Sequence, residues 1–172
     1  MIWDKLSPFY DFFETLYNGK CYKGIAEKIK DYVTEEDIVL KCACGTGLLT
    51  LPMAQKCKKL VATDYSIGML RQTRKKVAKY SNTRVKEASI LELPFEDNKF
   101  DLIIAKDVLE CISDKSKFIK EIHRILKPNG TIICANADFD SITLNGKDKE
   151  LIRNVIHSYA ITKQPWMDDL NS

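Results

Sequence analysis

The most chemically informative stretch of the sequence is a small-residue turn at residues 43–47, which reads Ala-Cys-Gly-Thr-Gly. A short apolar run at residues 38–42 precedes it and predicts a buried strand, while the apolar stretch from Leu48 predicts a helix. Glycine tolerates positive φ angles and lets a ligand approach the backbone closely. The start of a helix offers free N–H groups and a positive dipole end. The pattern therefore predicts a site for a nucleotide-like cofactor.

The segments around this turn alternate between apolar runs and amphipathic stretches. The apolar runs predict strands at residues 38–42, 60–63, 84–88, 100–105 and 131–135. Ser66 is expected to cap one helix, and Ser113 or Asp114 to cap another that ends at residues 127–130. Strands that are apolar throughout and separated by helices favour a parallel sheet covered on both faces. The predicted fold is α/β, a doubly wound, mostly parallel sheet of at least five strands.

The ends of the chain flank this core within one predicted domain of 172 residues. Residues 1–36 form a helical lead-in, with a break or kink at Pro8, a turn at Asn18-Gly19 and a second helix at about 20–32. Residues 37–136 form the cofactor-binding core. Residues 137–172 form a helical tail without further strands, so the fifth strand is expected to be an open edge that could support a homo-oligomer.

The composition is that of a soluble globular protein, with 45% hydrophobic and 30% charged residues. The net charge of +3 is too small to indicate nucleic-acid binding, and no apolar run reaches membrane-spanning length. No pair of cysteines has C-x-x-C spacing, so no metal site is predicted. A cytoplasmic protein with reduced thiols is expected.

The turn itself allows two cofactors. The spacing Gly45-x-Gly47-x-x-Thr50 nearly matches the dinucleotide fingerprint, but the third glycine is absent. That glycine allows close packing of helix and strand over a pyrophosphate, so its absence disfavours NAD. A nicotinamide-dependent oxidoreductase remains an alternative.

The spacing Ala43-x-Gly45-x-Gly47 resembles the first motif of the class I S-adenosylmethionine-dependent methyltransferases. Later segments of that family resemble this chain in the same order, at residues 61–66, 69–70, 93–95, 100–101, 107–110 and 121–130. The resemblance covers residues 37–136 and is greatest to the small-molecule group that includes ubiquinone and menaquinone biosynthesis methyltransferases. It implies a Rossmann-like fold, S-adenosylmethionine as cofactor and a small-molecule methyl acceptor.

The resemblance also implies a role for individual residues. Ala43, Gly45 and Gly47 would form the turn under the methionine part of the cofactor. Asp64 would accept hydrogen bonds from both ribose hydroxyls, for which the two oxygens of a carboxylate are suited. Tyr65 would lie against the adenine.

Four further residues complete the implied cofactor site. Ser89 and Ile90 would contact the edge and face of the adenine. Ala105 and Lys106, just after the fourth strand, would border the methionine part and the methyl group.

Three features depart from the family pattern. Lys41 stands where the family usually has an acid, and it either swings outward or pairs with a local carboxylate. Ser89 replaces the usual aspartate after the third strand, and the last pair of strands is missing. These departures leave open a second class of function, a non-catalytic module that binds the cofactor or a partner chain.

No residue is assigned as catalytic, because methyl transfer needs mainly the alignment of its two substrates. Asp107 and Glu110 are the nearest candidate bases, whereas His123 and His157 lie within predicted helices. The sequence Ala-Lys-Asp-Val at 105–108 lacks the Asn-Pro-Pro-Tyr pattern of amino-methylating nucleic-acid enzymes. The predicted acceptor site combines the loop at 138–146 with the aromatic residues Trp3, Phe9, Tyr10, Phe13 and Tyr17.

Overall fold

The computed structural model describes the backbone of residues 2–109, 111–135 and 142–145, and the side chains of residues 3–11, 24–109 and 111–134. The chain divides into two compact units, Met1–Ile90 and Leu91–Ser172. The predicted tail helix at 147–161, His157 and Glu110 lie outside the described residues. The side chains of Phe13 and Tyr17 are likewise not described.

The first unit begins with helix α1, which runs without interruption over Ile2–Tyr32. The predicted break at Pro8 and the predicted turn at Asn18-Gly19 are both wrong, because the helix continues through these residues. Pro8 has no N–H for the carbonyl of Asp4, but the Ser7 hydroxyl donates to that carbonyl at 3.0 Å. The side chain therefore replaces a backbone bond that proline removes. At Asn18-Gly19 the helical context overrides a local turn preference.

Three parallel strands form the sheet of the first unit: β1 (Ile38–Cys42), β2 (Lys59–Asp64) and β3 (Thr83–Glu87). Strand β2 lies in the middle, with Leu60 opposite Val39 on one side and opposite Thr83 on the other. Val39 and Leu40 are completely buried, and each such side chain stabilises the fold by about 1.5–3 kcal/mol. The buried apolar run therefore fixes where β1 ends and where the following turn begins.

Two helices connect these strands. Helix α2 (Thr50–Ala54) begins two residues after the predicted start and is only five residues long. Helix α3 (Ile67–Val77) begins at the predicted cap, since the N–H of Met69 donates to the Ser66 hydroxyl at 3.2 Å. Its inner face buries Leu70, Thr73 and Val77 as predicted, whereas Tyr80 follows the end of the helix.

The second unit contains the remaining described elements. These are β4 (Phe100–Lys106), α4 (Lys115–Ile125), β5 (Leu126–Ala135) and β6 (Ile142–Asn145). Asp114 caps α4 by accepting from the N–H of Lys117 at 2.8 Å, and Phe118, Ile122 and Ile125 form its buried face. Strands β4 and β5 are parallel, with Ile103 opposite Ile132. The strand–helix–strand order of this unit agrees with the prediction.

Strand β5 differs from the prediction in where it begins and in having a neighbouring strand on its outer side. It begins at Leu126 rather than at residue 131, and residues 127–130 form a bulge, because Phe100 faces Leu126 whereas Leu102 faces Thr131. Strand β6 pairs antiparallel with residues 131–134 of β5. The expected open edge is therefore wrong at residues 131–134, and residues 142–145 form a strand where a tail without further strands was predicted. The run Ile-Thr-Leu-Asn at 142–145 alternates as a strand does, but it is too short to predict one reliably.

Among the residues that the structure describes, no helix combines the length and apolar character needed to cross a membrane.

Candidate functional site

The turn at residues 43–47 follows β1 and has a left-handed backbone at three positions. The φ angles are 44° at Ala43, 55° at Gly45 and 87° at Gly47. A Cβ atom on Gly45 would meet nothing within 4 Å, whereas one on Gly47 would lie 2.9 Å from Oγ1 of Thr73. Gly47 is therefore needed for close packing, and Gly45 leaves open space on the side where a side chain would otherwise project.

Asp64 joins the turn to the end of β2. Its Oδ2 accepts from the N–H of Gly45 at 2.8 Å, and its Oδ1 accepts from the N–H of Ser66 at 2.9 Å. The carboxylate is only half-buried, and each of its oxygens can accept more than one hydrogen bond. Two residues that were predicted to share a site, Gly45 and Asp64, are thus in direct contact.

Thr73 supports the turn from helix α3. It is completely buried, and its hydroxyl donates to the carbonyl of Gly45 at 2.8 Å. Its side chain also contacts the Cys44 sulfur, with 3.6 Å between Oγ1 and Sγ. A polar residue on the buried face of a helix was the sequence signal for this contact, although the prediction assigned Thr73 only to packing. The turn is therefore fixed by β2 through Asp64 and by α3 through Thr73.

Lys41 is buried at the end of β1, with only 2% of its surface exposed. Its ammonium group donates to the carbonyls of Cys42 at 2.6 Å and Ala43 at 3.1 Å. The prediction that Lys41 could swing outward is wrong. Because the long side chain folds back onto the turn, it stabilises the left-handed backbone at Ala43.

Cys44 lies within the turn but does not provide a nucleophile. It packs against Ala62 and Leu70, with Val85 at the edge of this cluster. Burial raises the pKa of the Cys44 thiol to about 11, so the uncharged thiol dominates near neutral pH. Among the described residues, no group of three or more His, Cys, Asp or Glu side chains is arranged to hold a metal ion.

The other predicted residues of the first unit lie close to Asp64 in the chain or at the end of β3. Tyr65 follows Asp64 directly, and its side chain is 61% exposed. Ser89 and Ile90 are half-buried and follow β3. The N–H of Ala88 donates to the carbonyl of Asp64 at 3.1 Å, which holds the segment before Ser89 beside the end of β2.

Ala105 and Lys106 belong to the second unit and are the last two residues of β4. Both are buried, and the Lys106 ammonium forms an ion pair with the carboxylate of Asp107. Asp107 has a φ angle of 55°. In the part of the chain that the structure describes, its buried Oδ1 has no hydrogen-bond partner. Buried acceptors without partners and strained backbone are both typical of functional sites.

Helix α1 also contacts the site, through residues that the sequence did not single out. Asp11 accepts from the Thr46 hydroxyl in the turn and forms an ion pair with Lys76 of α3. Asp4 accepts from the Ser66 hydroxyl at 2.7 Å and from the N–H of Gly68 at 2.9 Å. The partners of Asp4 and Asp11 are at least 35 residues away in the sequence. Nothing in the local sequence indicates such contacts, so only the structure reveals them.

The segment that contains this turn matches a known protein family. A family model described as "Methyltransferase domain" matches residues 40–134, more than half of the chain. The chain belongs to this family. The match includes the turn at 43–47, Asp64 and the end of β4, and it confirms the resemblance to the S-adenosylmethionine-dependent methyltransferases.

Individual relatives of this methyltransferase domain agree with that assignment. Demethylmenaquinone methyltransferase from Staphylococcus aureus strain MRSA252 is 28% identical over an alignment of 138 residues, which covers 77% of this chain and 57% of that protein. The chain therefore spans less than two thirds of the length of this curated relative.

Two solved structures share the fold. One, from Methanococcus maripaludis and provisionally named an S-adenosyl-L-methionine-dependent methyltransferase, superposes with a TM-score of 0.70 at 24% identity, covering 98% of this chain and 75% of that one. The other, phosphoethanolamine N-methyltransferase 1 from Haemonchus contortus, has a TM-score of 0.69 at 18% identity, covering 77% and 30%. The predicted Rossmann-like α/β fold is confirmed.

Proposed function

We propose that this chain binds S-adenosylmethionine and transfers its methyl group to a small molecule. The observation that carries the proposal is the bond from Gly45 to Asp64, which joins a glycine turn after β1 to an acid at the end of β2. The family match supports this assignment. In open α/β sheets, ligands bind beyond the carboxyl ends of the strands, which is where these residues lie.

The described residues fit this cofactor. Gly45 leaves open space beside a left-handed backbone, and each oxygen of Asp64 has capacity for another hydrogen bond. We propose that Asp64 holds the ribose hydroxyls and that Ala43, Gly45 and Gly47 form the turn under the methionine part. Tyr65, with its exposed ring, is proposed to lie against the adenine.

The remaining predicted roles stay proposals of the same kind. Ser89 and Ile90 would contact the adenine, while Ala105 and Lys106 would border the methionine part. Residues 37–136 would bind the cofactor, 1–36 would form a cap and 137–172 a tail, all within one domain. The Lys106–Asp107 ion pair supports a role for this segment, because it holds two charged groups at the carboxyl end of β4.

When bound, the cofactor supplies a methyl group attached to a positively charged sulfur. The sulfur is a good leaving group because it departs as a neutral sulfide. The protein then has to orient the acceptor and exclude water. Gly45 and Asp64 are already held in one arrangement by their mutual hydrogen bond, so little reorganisation is needed when the cofactor binds.

We propose a small, partly apolar acceptor. The exposed surface of α1 carries Trp3 and Phe9, and Tyr10 stacks edge-on against Trp3 with 6.2 Å between ring centroids. Aromatic rings of this kind suit an apolar or ring-shaped molecule. The relatives named above differ in the acceptors that their names give, demethylmenaquinone and phosphoethanolamine, so the first screen should include both chemical types.

Calorimetric titration of the purified chain with S-adenosylmethionine, S-adenosylhomocysteine and NAD tests the proposal. We expect micromolar affinity for the first two and none for NAD. Binding of NAD alone would overturn it in favour of an oxidoreductase. Methyl transfer to acceptors would then be followed by mass spectrometry.

A second candidate function is a module that binds the cofactor without transferring the methyl group. Buried Lys41, which occupies the position of the usual acid, favours it. Tight binding of S-adenosylmethionine without transfer to any tested acceptor would support this candidate.

We also propose a cytoplasmic location. The buried thiols of Cys44, Cys57 and Cys134, which form no disulfide, support it, because unpaired cysteines are typical of reducing compartments. Fractionation of cells that produce the chain would test it, and recovery outside the cytoplasm would refute it.

A further inference from the structure

Thr46 is the one residue between the two glycines of the turn, and helix α1 contacts it directly. Its side chain is nearly completely buried, and its hydroxyl donates to Oδ1 of Asp11 on α1. Asp11 is 35 residues earlier in the sequence. A side chain of α1 therefore fixes the rotamer of a residue inside the turn.

Lys76 of helix α3 holds the same residue from its backbone. Its ammonium group donates to the Thr46 carbonyl at 2.8 Å and forms an ion pair with Asp11. Asp11 thus holds the side chain of Thr46, Lys76 holds its carbonyl, and these two opposite charges pair with each other. Since Thr46 connects Gly45 to Gly47, its orientation sets the peptide planes on both sides.

Asp4 provides an internal comparison on the same helix. It accepts from Ser66 and Gly68 at the start of α3, and a Cβ atom on Gly68 would lie 2.7 Å from the Asp4 Cα. Asp4 therefore anchors α1 against α3 closely, but its described bonds do not involve the turn. Asp4 and Asp11 therefore have separate tasks, one at the helix–helix contact and one at the turn.

We propose that Asp11 is a positioning residue that couples the docking of helix α1 to the geometry of the cofactor turn. The inference rests on the proposed function, because the turn is taken to bind S-adenosylmethionine. A ligand that binds the ordered turn stabilises docked α1, and docked α1 raises the affinity for that ligand by the same factor, since the coupling is reciprocal. Asp11 acts through Thr46 and need not touch the cofactor.

The test compares Asp11→Ala with its matched control Asp4→Ala, and Thr46→Val with Thr46→Ser. Amide hydrogen exchange of the 43–49 segment is measured without ligand, and the Kd for S-adenosylhomocysteine is measured by calorimetry. Asp11→Ala and Thr46→Val are expected to speed exchange of the turn and weaken binding roughly tenfold, the scale of one charge-assisted hydrogen bond. Thr46→Ser is expected to stay within about twofold of the natural chain because it keeps the hydroxyl. Asp4→Ala is expected to change both quantities less than Asp11→Ala does, because it loosens the contact of α1 with α3 without removing a bond to the turn.

Unchanged exchange in Asp11→Ala would overturn the proposal, as would an equal change in Asp4→Ala. If Asp11→Ala does not fold, Lys76→Met removes the other charged partner of Thr46 and takes its place. If the natural chain binds no S-adenosylhomocysteine, the proposed function fails, but the exchange of the turn still decides the role of Asp11.

Discussion

The ends of strands β1 and β4 use similar residues to different effect. Each has a buried lysine near its end, Lys41 or Lys106, followed by a non-glycine residue with positive φ, Ala43 or Asp107. Lys41 donates to two carbonyl oxygens of its own turn, whereas Lys106 pairs with a carboxylate. The turn after β1 is held by many hydrogen bonds, while Asp107 has a buried oxygen without a partner among the described residues.

This difference indicates two kinds of preorganisation. Hydrogen bonds to the backbone fix the shape of a turn that a ligand can occupy. An ion pair that fixes one carboxylate oxygen leaves the other available to a hydrogen-bond donor. The end of β1 is therefore followed by a turn of fixed shape at residues 43–47, here named the cradle. The end of β4 instead has a carboxylate oxygen that is available to accept a hydrogen bond.

The largest expected effect comes from adding a side chain to Gly47 in the cradle. Gly47→Ala places a Cβ atom 2.9 Å from the Thr73 hydroxyl at a φ angle of 87°, and we expect a loss of about 3 kcal/mol of unfolding free energy. Gly45→Ala is the control, because its Cβ would meet open space and should cost only about 1 kcal/mol. Urea denaturation measures both. Equal losses would show that packing against Thr73 is unimportant.

Removal of the acid that closes the cradle should mainly affect binding. We expect Asp64→Ala to weaken S-adenosylmethionine binding by about 1.5–3 kcal/mol, the scale of hydrogen bonds to a charged group. Calorimetry measures this loss, and Glu87→Ala, an exposed acid at the end of β3, is the control. An unchanged dissociation constant would remove Asp64 from the site.

A matched pair of glycine substitutions compares the two strand ends directly. Ala43→Gly relieves a left-handed backbone without removing a side-chain bond, and it should stabilise the fold by about 0.5–1 kcal/mol. Asp107→Gly relieves a similar φ angle but removes the partner of Lys106, so it should destabilise by about 1 kcal/mol. Thermal unfolding of both variants checks the signs. Stabilisation by Asp107→Gly would mean that the ion pair contributes little.

The smallest expected effect concerns the anchor between α1 and α3, which lies outside the cradle. Hydrogen bonds from Gly68 and then Ser66 lower the pKa of Asp4 from 3.8 to about 2. A lowered pKa in the folded state contributes stability above pH 4 that is lost as the pH falls towards 2. The difference between the urea midpoints of the natural chain and Asp4→Asn should therefore be full at pH 5 and shrink as the pH falls through the folded-state pKa of about 2. A constant difference would contradict the shift.

The sequence was sufficient to predict what depends on local pattern. Ser66 and Asp114 cap their helices as predicted, and the apolar runs locate β1 and β4 because such runs are buried wherever the fold places them. Gly45 and Asp64 were placed in one site through the family resemblance, and they are in contact.

Contacts that depend on the exact path of the backbone could not be predicted. The direction of the Lys41 side chain depends on which carbonyls lie within its reach, and those of its own turn do. Helix α1 continues through Pro8 because the Ser7 hydroxyl donates a hydrogen bond to the Asp4 carbonyl. A pattern of residue types does not reveal this bond. Strand β6 is recognisable only by its pairing with β5.

The anchors of helix α1 also bear on the order of folding. Asp4 bonds to residues 62 and 64 positions later in the chain, and Asp11 to one 35 positions later. During synthesis, α1 leaves the ribosome well before α3 exists, so the bonds of Asp4 must wait until strands β1 and β2 have been made. Closing such long loops costs chain entropy before any contact forms. We therefore expect the first helix of this unit to be among the last of its elements to become fixed in place.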